Sequence, residues 1–205
     1  MSDERIDFLS LSVAEFLDRA GARSPTPGGG SVAALVGALA TTMGQMTARY
    51  TIGNPKYAAH EAAVRSWLAE LERAREAFCE LLAEDVSAYQ RLAAAMKSGE
   101  AAGAERDRAL ATATAVPLEI VAMAAAVAER MDQMKERCNR HLLSDLAVGA
   151  LLCDAAAHAA AANVRANLRW FSDAVEAGRL REQLDAMLGR VRGHRDAVEA
   201  YAAGG

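Results

Sequence analysis

Ala33, Gly37, Ala40 and Gly44 recur at spacings of four, three and four along a stretch with no helix breaker between Ser31 and Ile52. Read as a helix, that spacing puts all four on one face. A face built of hydrogen atoms and methyl groups lets a second helix lie nearly against the backbone, at the short end of helix–helix distances. The chain must therefore supply another long helix to cover it. The composition agrees. Hydrophobic residues make up 52% of the chain but aromatic residues only 5%. Much of the apolar content is Ala, the best helix former, whereas β-branched and aromatic runs that mark strands are scarce. The expectation is an all-α fold, a bundle of long, closely packed antiparallel helices forming a single domain over residues 1–205.

Local signals divide the bundle. Ser12 followed by Glu15 is a capping box, and Leu11 can staple to Phe16, so a short helix should run to about Ala20-Gly21. Ser24-Pro25-Thr26-Pro27-Gly28-Gly29-Gly30-Ser31 cannot continue it and reads as a loop. A helix should follow from Ser31 to Ile52, ended by Gly53-Asn54-Pro55, then another from Lys56 to Lys97 with Trp67, Leu68, Leu71, Phe78, Leu81, Leu82 and Val86 at helical spacing. Ser98-Gly99 reads as a loop before a helix from about Ala101, which Pro117 should kink or restart. Beyond a connection at Cys138–Leu143, Ser144 or Asp145 should cap a helix reaching about Phe171. Gly178 should separate a last helix over Arg179–Tyr201, with a frayed tail.

The formal net charge is −4, and no segment carries a basic stripe, which argues against a nucleic-acid partner. Three cysteines (Cys79, Cys138, Cys153) without a C-x-x-C pair fit neither a disulfide framework nor a zinc ribbon. Met1–Asp7 is charged, unlike a signal peptide. The most apolar stretches carry Pro117 and Glu119 in one case and Asp154 and His158 in the other, so they read as core helices rather than membrane spans. These features point to a cytoplasmic protein.

The loop before the small-residue helix is the most informative element for chemistry. A glycine-rich turn entering a helix can offer free N–H groups to an anion or a carbonyl oxygen, or can simply cap the helix. The phosphate-binding lysine pattern is missing. Asp85 lies inside a predicted helix, where Asp has poor propensity, and a solvated carboxylate is the simpler reading. Asp145 sits at a helix start, where capping is natural. The pairs Asp154/His158 and Cys138/His141 have ligand-like spacing, but two residues do not make a metal site.

After Ser24–Ser31 the sequence continues as Val-Ala-Ala-Leu-Val-Gly-Ala-Leu, residues 32–39. This run resembles the C-terminal domain of the formiminotransferase-cyclodeaminase family, which includes stand-alone methenyltetrahydrofolate cyclohydrolases. The likeness continues in order through Thr51-Ile52-Gly53, Lys56-Tyr57, Glu84-Asp85-Val86-Ser87-Ala88-Tyr89, Ala111–Leu118, Asn139, Ser144-Asp145 and Asn163-Val164. It spans about residues 10 to 170.

The resemblance implies an all-α homodimer with the folate site near the subunit contact and no metal or redox cofactor. It implies two related reactions: loss of ammonia from 5-formiminotetrahydrofolate, and hydrolysis of 5,10-methenyltetrahydrofolate. Asp85 and Asp145 are then the candidate acid–base groups, with His141 as a possible helper. Pro27, Gly28, Gly29, Gly30 and Ser31 would hold a pterin carbonyl or a substrate carboxylate. Lys56 and Tyr57, with Asn139 and Ser144, complete the expected substrate contacts. The chain departs from the family pattern at Arg49, Asn54, Pro55, Cys138 and His141. Those departures keep two alternatives: a non-catalytic folate-binding or scaffold protein of the same fold, and an enzyme of the same fold acting on another nitrogen-bearing one-carbon compound.

Overall fold

The computed structural model describes residues 7–97 and 103–204. Six α-helices account for most of them: α1 (Val13–Ala20), α2 (Gly29–Arg49), α3 (Glu61–Lys97), α4 (Gly103–Met134), α5 (Leu143–Leu168) and α6 (Ala174–Gly204). No strand occurs among the described residues. The four helices α2 to α5 run alternately up and down, each packed on the next, with α5 closing back onto α2. The sixth helix lies against α4 and α5.

The small-residue face on α2 sets this arrangement. Gly30, Gly37 and Gly44 stand opposite Asp85, Phe78 and Leu71 of α3, in steps of seven residues on both helices. A β-carbon at position 37 would lie 2.4 Å from Cε1 of Phe78, and one at position 44 would lie 3.0 Å from Cδ1 of Leu71. At position 37 contact this close requires glycine, whereas at position 44 the end of Leu71 would have to give way by a few tenths of an ångström. Gln45 fixes the register at the far end, donating from Nε2 to the Leu71 carbonyl at 3.1 Å. On the neighbouring side a β-carbon at Gly149 of α5 would lie 2.7 Å from Cε of Met131 of α4 and 3.0 Å from Cβ of Met43 of α2. Ala33, Ala40, Ala128, Ala150, Ala157 and Ala160 are fully buried between these helices. By length and apolar composition α2, α4 and the Arg140–Leu168 stretch would each suffice to cross a membrane, but here they pack against the other helices of the bundle.

The capping box forms as expected: Ser12 Oγ accepts from the Glu15 N–H at 3.2 Å, and Glu15 Oε2 accepts from the Ser12 N–H at 2.8 Å. Phe16 packs edge-on against Phe8, with ring centroids 6.4 Å apart. Several features differ from expectation, among them the tail, where Ala202–Gly204 continue the last helix rather than fraying. The third helix is preceded by a 3-10 turn, Pro55–His60, capped by Asn54. Pro117 does not restart α4, which runs unbroken through it. Proline removes the N–H that would reach the Ala113 carbonyl, and Asn167 of α5 supplies the missing donor from Nδ2 at 2.9 Å. Gly178 lies inside α6 rather than before it. Asp173 starts that helix by accepting the N–H groups of Val175 and Glu176 at 2.8 and 3.1 Å. Finally, neither Ser144 nor Asp145 caps α5. A second 3-10 turn, Arg140–Leu142, leads in, and both residues stand within the first helical turn. The expected Ser98-Gly99 loop and Ala101 helix start lie outside the described residues.

Candidate active site

The candidate residues fall into two groups at opposite ends of α2. That helix has 21 residues, so the groups are about 30 Å apart at 1.5 Å per residue.

The first group surrounds the glycine-rich loop. Pro27 is buried, and Gly28 begins α2 without a side-chain cap of its own. Asp85, midway along α3, comes to that helix end instead. Ser31 Oγ donates to Asp85 Oδ2 at 2.8 Å, and the carboxylate lies directly over Gly30. A negative group is well placed here, because a helix N-terminus carries partial positive charge and unpaired N–H groups. The helix end expected to await a substrate anion is thus already faced by a protein carboxylate. Burial pushes the Asp85 carboxyl above its ordinary range, against the downward pull of hydrogen bonds from the Ser31 side chain and backbone. A group so placed holds its proton nearer to neutrality than a surface Asp does.

Beside Asp85 is a cavity of about 80 Å³ lined by Asp85, Ala88, Tyr89, Leu92, Ala113, Asn163 and Asn167. Gly29 borders it: a β-carbon there would lie 3.4 Å from Nδ2 of Asn163. Tyr89, Asn163 and Asn167 were not among the residues expected from sequence. Their signal was present as two Asn residues one helical turn apart on an Ala-rich helix, where polar groups are expensive unless they have work to do.

The second group gathers where α2 ends and α5 begins. Asn139 is nearly buried and both ends of its amide are engaged: Nδ2 donates to the Tyr50 carbonyl at 3.3 Å, and Oδ1 accepts the His141 N–H at 3.1 Å. Its own N–H donates to Thr51 Oγ1 at 2.9 Å. The Tyr57 hydroxyl accepts the Arg140 N–H at 3.0 Å. In this chain Asn139 and Tyr57 thus hold the connection together. Lys56, His141 and Ser144 are exposed, and Asp145 is half-buried with no side-chain partner among the described residues.

The pairs with ligand-like spacing have other surroundings. Cys138 is buried, which pushes its thiol up to about 11, while His141 is exposed. Asp154 pairs with Arg195 at 2.9 Å, and His158 lies 3.7 Å from its other oxygen. No three His, Cys, Asp or Glu residues stand together as a metal-ligating group among the described residues. A larger groove of about 410 Å³ between α3 and α4, lined by Leu71, Ala74, Met123 and Val127 with Glu70 and Arg130, contains none of the candidate residues.

Comparison with known proteins gives this geometry its context. A methenyltetrahydrofolate cyclohydrolase from Methylorubrum extorquens is 30% identical over 86% of this chain and 88% of its own length. A formimidoyltransferase-cyclodeaminase from Rattus norvegicus is 29% identical over 88% of this chain, which spans only 35% of that longer protein. The crystal structure of a formiminotetrahydrofolate cyclodeaminase from Thermotoga maritima superposes with a TM-score of 0.91 at 30% identity, covering 96% of this chain and 98% of that one. The family model for formiminotransferase-cyclodeaminase matches residues 12–186. With matched length, matched fold and the motifs in order, the chain belongs to the formiminotransferase-cyclodeaminase family.

Proposed function

We propose that this protein is a one-carbon folate enzyme acting at the bridging carbon between N5 and N10 of tetrahydrofolate, as a cyclodeaminase, a cyclohydrolase or both. One observation carries the reading: Asp85, half-buried over Gly30 and hydrogen-bonded by Ser31, borders a small cavity that Asn163 and Asn167 also line. Each reaction passes through a tetrahedral carbon and needs protons moved. In deamination N10 adds to the formimino carbon and gives up its proton, the departing nitrogen takes a proton, and ammonia leaves. In hydrolysis water adds to the methenyl carbon and loses a proton, N5 takes a proton, the carbon–N5 bond breaks, and the remaining hydroxyl gives up its proton to leave the formyl group on N10. Asp85 can accept and return those protons, and its upward shift suits it to the task. As a carboxylate it also pairs with the positive charge that both substrates carry at their N–C–N unit.

The cavity beside Asp85 holds about 80 Å³, far less than the several hundred Å³ of a site that encloses a drug-sized ligand. One chain thus receives an edge of the folate, and the rest needs another surface. Val32 and Leu39 on α2 and Tyr50 just past its end, with Val148 and Leu151 on the adjoining α5, expose large apolar side chains. A second copy of the chain fits this face. Across a two-fold axis perpendicular to α2, the same patch meets itself with ends exchanged. That symmetry sets the Asp85 end of one subunit beside the partner's His141 and Asp145 end. The site would then be shared across a homodimer, with Lys56 placed for the negative tail of the substrate.

The test is the ultraviolet absorbance of the methenyl chromophore, with purified protein and each folate in turn. Appearance of the chromophore from 5-formiminotetrahydrofolate establishes deamination, and accelerated decay of 5,10-methenyltetrahydrofolate establishes hydrolysis. Folate binding by a folded protein with neither signal would favour the non-catalytic alternative.

A further inference from the structure

Pro117 and Asn167 form a device that the acid–base reading does not use. Pro117 is buried inside α4 and leaves the Ala113 carbonyl without its helical donor. Asn167 answers from α5, donating Nδ2 to that carbonyl at 2.9 Å. The bond fixes which way the amide points. With nitrogen committed to Ala113, the oxygen Oδ1 is left as the free acceptor, and no donor among the described residues reaches it. Ala113 and Asn167 both line the cavity beside Asp85. The Asp85 carboxyl, held by Ser31, lines the same cavity. The cavity is therefore bordered by a carboxyl group and by one acceptor oxygen oriented through a proline in a neighbouring helix.

We propose that Asn167 is a specificity-determining residue of this site, its Oδ1 held by the carbonyl that Pro117 releases so that it accepts an N–H of the substrate across the cavity from Asp85. Pro117 is then a positioning residue acting through Asn167. The inference rests on the folate reading above. Two parts of such a substrate carry N–H donors, the formimino nitrogen and the edge of the pterin ring, and both offer the same chemistry to an acceptor. A ligand atom without hydrogen at that point leaves Oδ1 unpaired once the ligand has displaced water from it, which is how a polar group desolvated on binding discriminates.

The experiment measures kcat and KM for Asn167→Ala, Pro117→Ala and the double variant with both folates, alongside thermal melting. Asn167→Ala should lose about tenfold in kcat/KM, the size of one hydrogen bond to a charged or strongly polar group. Loss confined to 5-formiminotetrahydrofolate assigns the donor to the formimino nitrogen, and loss with both folates assigns it to the pterin edge. Pro117→Ala leaves every other side chain of the cavity in place but restores a backbone N–H for the Ala113 carbonyl, releasing the amide of Asn167. It should fall towards the same loss, and adding it to Asn167→Ala should cost little more, because the two act through one bond. Wild-type turnover combined with unchanged kinetics in Asn167→Ala, or with fully additive losses, overturns the inference alone. A lowered melting temperature with unchanged kcat/KM would reduce the pair to a packing role and also overturns it. A wild-type protein that turns over neither folate removes the reading beneath it, and the inference with it.

Discussion

Asp85 occupies the space that any side chain at Gly30 would need: its Oδ1 lies 2.0 Å from the position of a β-carbon on that residue. The glycine at the start of α2 and the carboxylate from the middle of α3 are thus one feature, built from positions far apart in sequence. The same seam meets Phe78 one heptad along at Gly37, so glycine there keeps the helices in contact, whereas at Gly30 it admits a reactive group.

That difference separates two substitutions. Gly30→Ala pushes the carboxyl away from Ser31 and should lower kcat/KM by about a hundredfold, the lower end of what acid–base assistance supplies, with the fold retained. Gly37→Ala drives a β-carbon into a buried ring and should cost about 1–3 kcal/mol of stability, with turnover per folded molecule little changed. Urea denaturation and steady-state kinetics on both proteins check the pair; equal effects on both quantities would contradict it.

Asp85 should make stability depend on pH. Burial raises its pKa in the folded state above the ordinary value of 3.8. The folded protein therefore bears a penalty for ionising it, absent below 3.8 and fully present once the pH exceeds the raised value. Asp85→Asn removes that penalty and keeps an acceptor for Ser31. The variant should melt higher than wild type near pH 7, and the advantage should vanish by about pH 3. A constant difference across that range would show that ionisation is not its cause.

A shared site predicts complementation. Asp85→Asn and Asp145→Asn damage opposite ends of α2, each abolishing both sites of its own dimer. In a hybrid dimer one site receives two intact halves, so mixing the two inactive proteins under exchange conditions should restore activity. Mixtures as inactive as their components would place each site within one chain.

Thr51 anchors the second group from inside. Its hydroxyl donates to the Thr47 carbonyl at 2.7 Å and accepts the Asn139 N–H at 2.9 Å, and the residue is buried. Thr51→Val leaves that N–H without a partner and should cost about 1–3 kcal/mol in chemical denaturation. An unchanged midpoint would mean that water or backbone movement satisfies Asn139.

The helices were legible because Ala, Gly and apolar periodicity speak directly to helix packing, and the Ser12 capping box is a local signal. Pro117 and Gly178 misled because their cost is local while the remedy is elsewhere, Asn167 on another helix for the first and the Asp173 cap for the second. The candidate site was legible in its motifs but not in its contacts. The Ser31 loop and Asp85 stood out through family motifs, yet their contact depends on the seven-residue register between α2 and α3, which no single segment encodes. Asn139 and Tyr57 read as substrate contacts, but their hydrogen bonds go to the backbone of their own chain. Asn163 and Asn167 were visible as polar residues on an Ala-rich helix, but only the packing of three helices shows what they face.

The most direct measurement is methenyl absorbance with Asp85→Asn beside wild type, at equal concentrations of folded protein and with each folate. The account predicts wild-type turnover with at least one substrate and a loss of a hundredfold or more in the variant, within the range of about 10² to 10⁴ that a positioned acid–base group supplies. Turnover by Asp85→Asn close to that of wild type would contradict it.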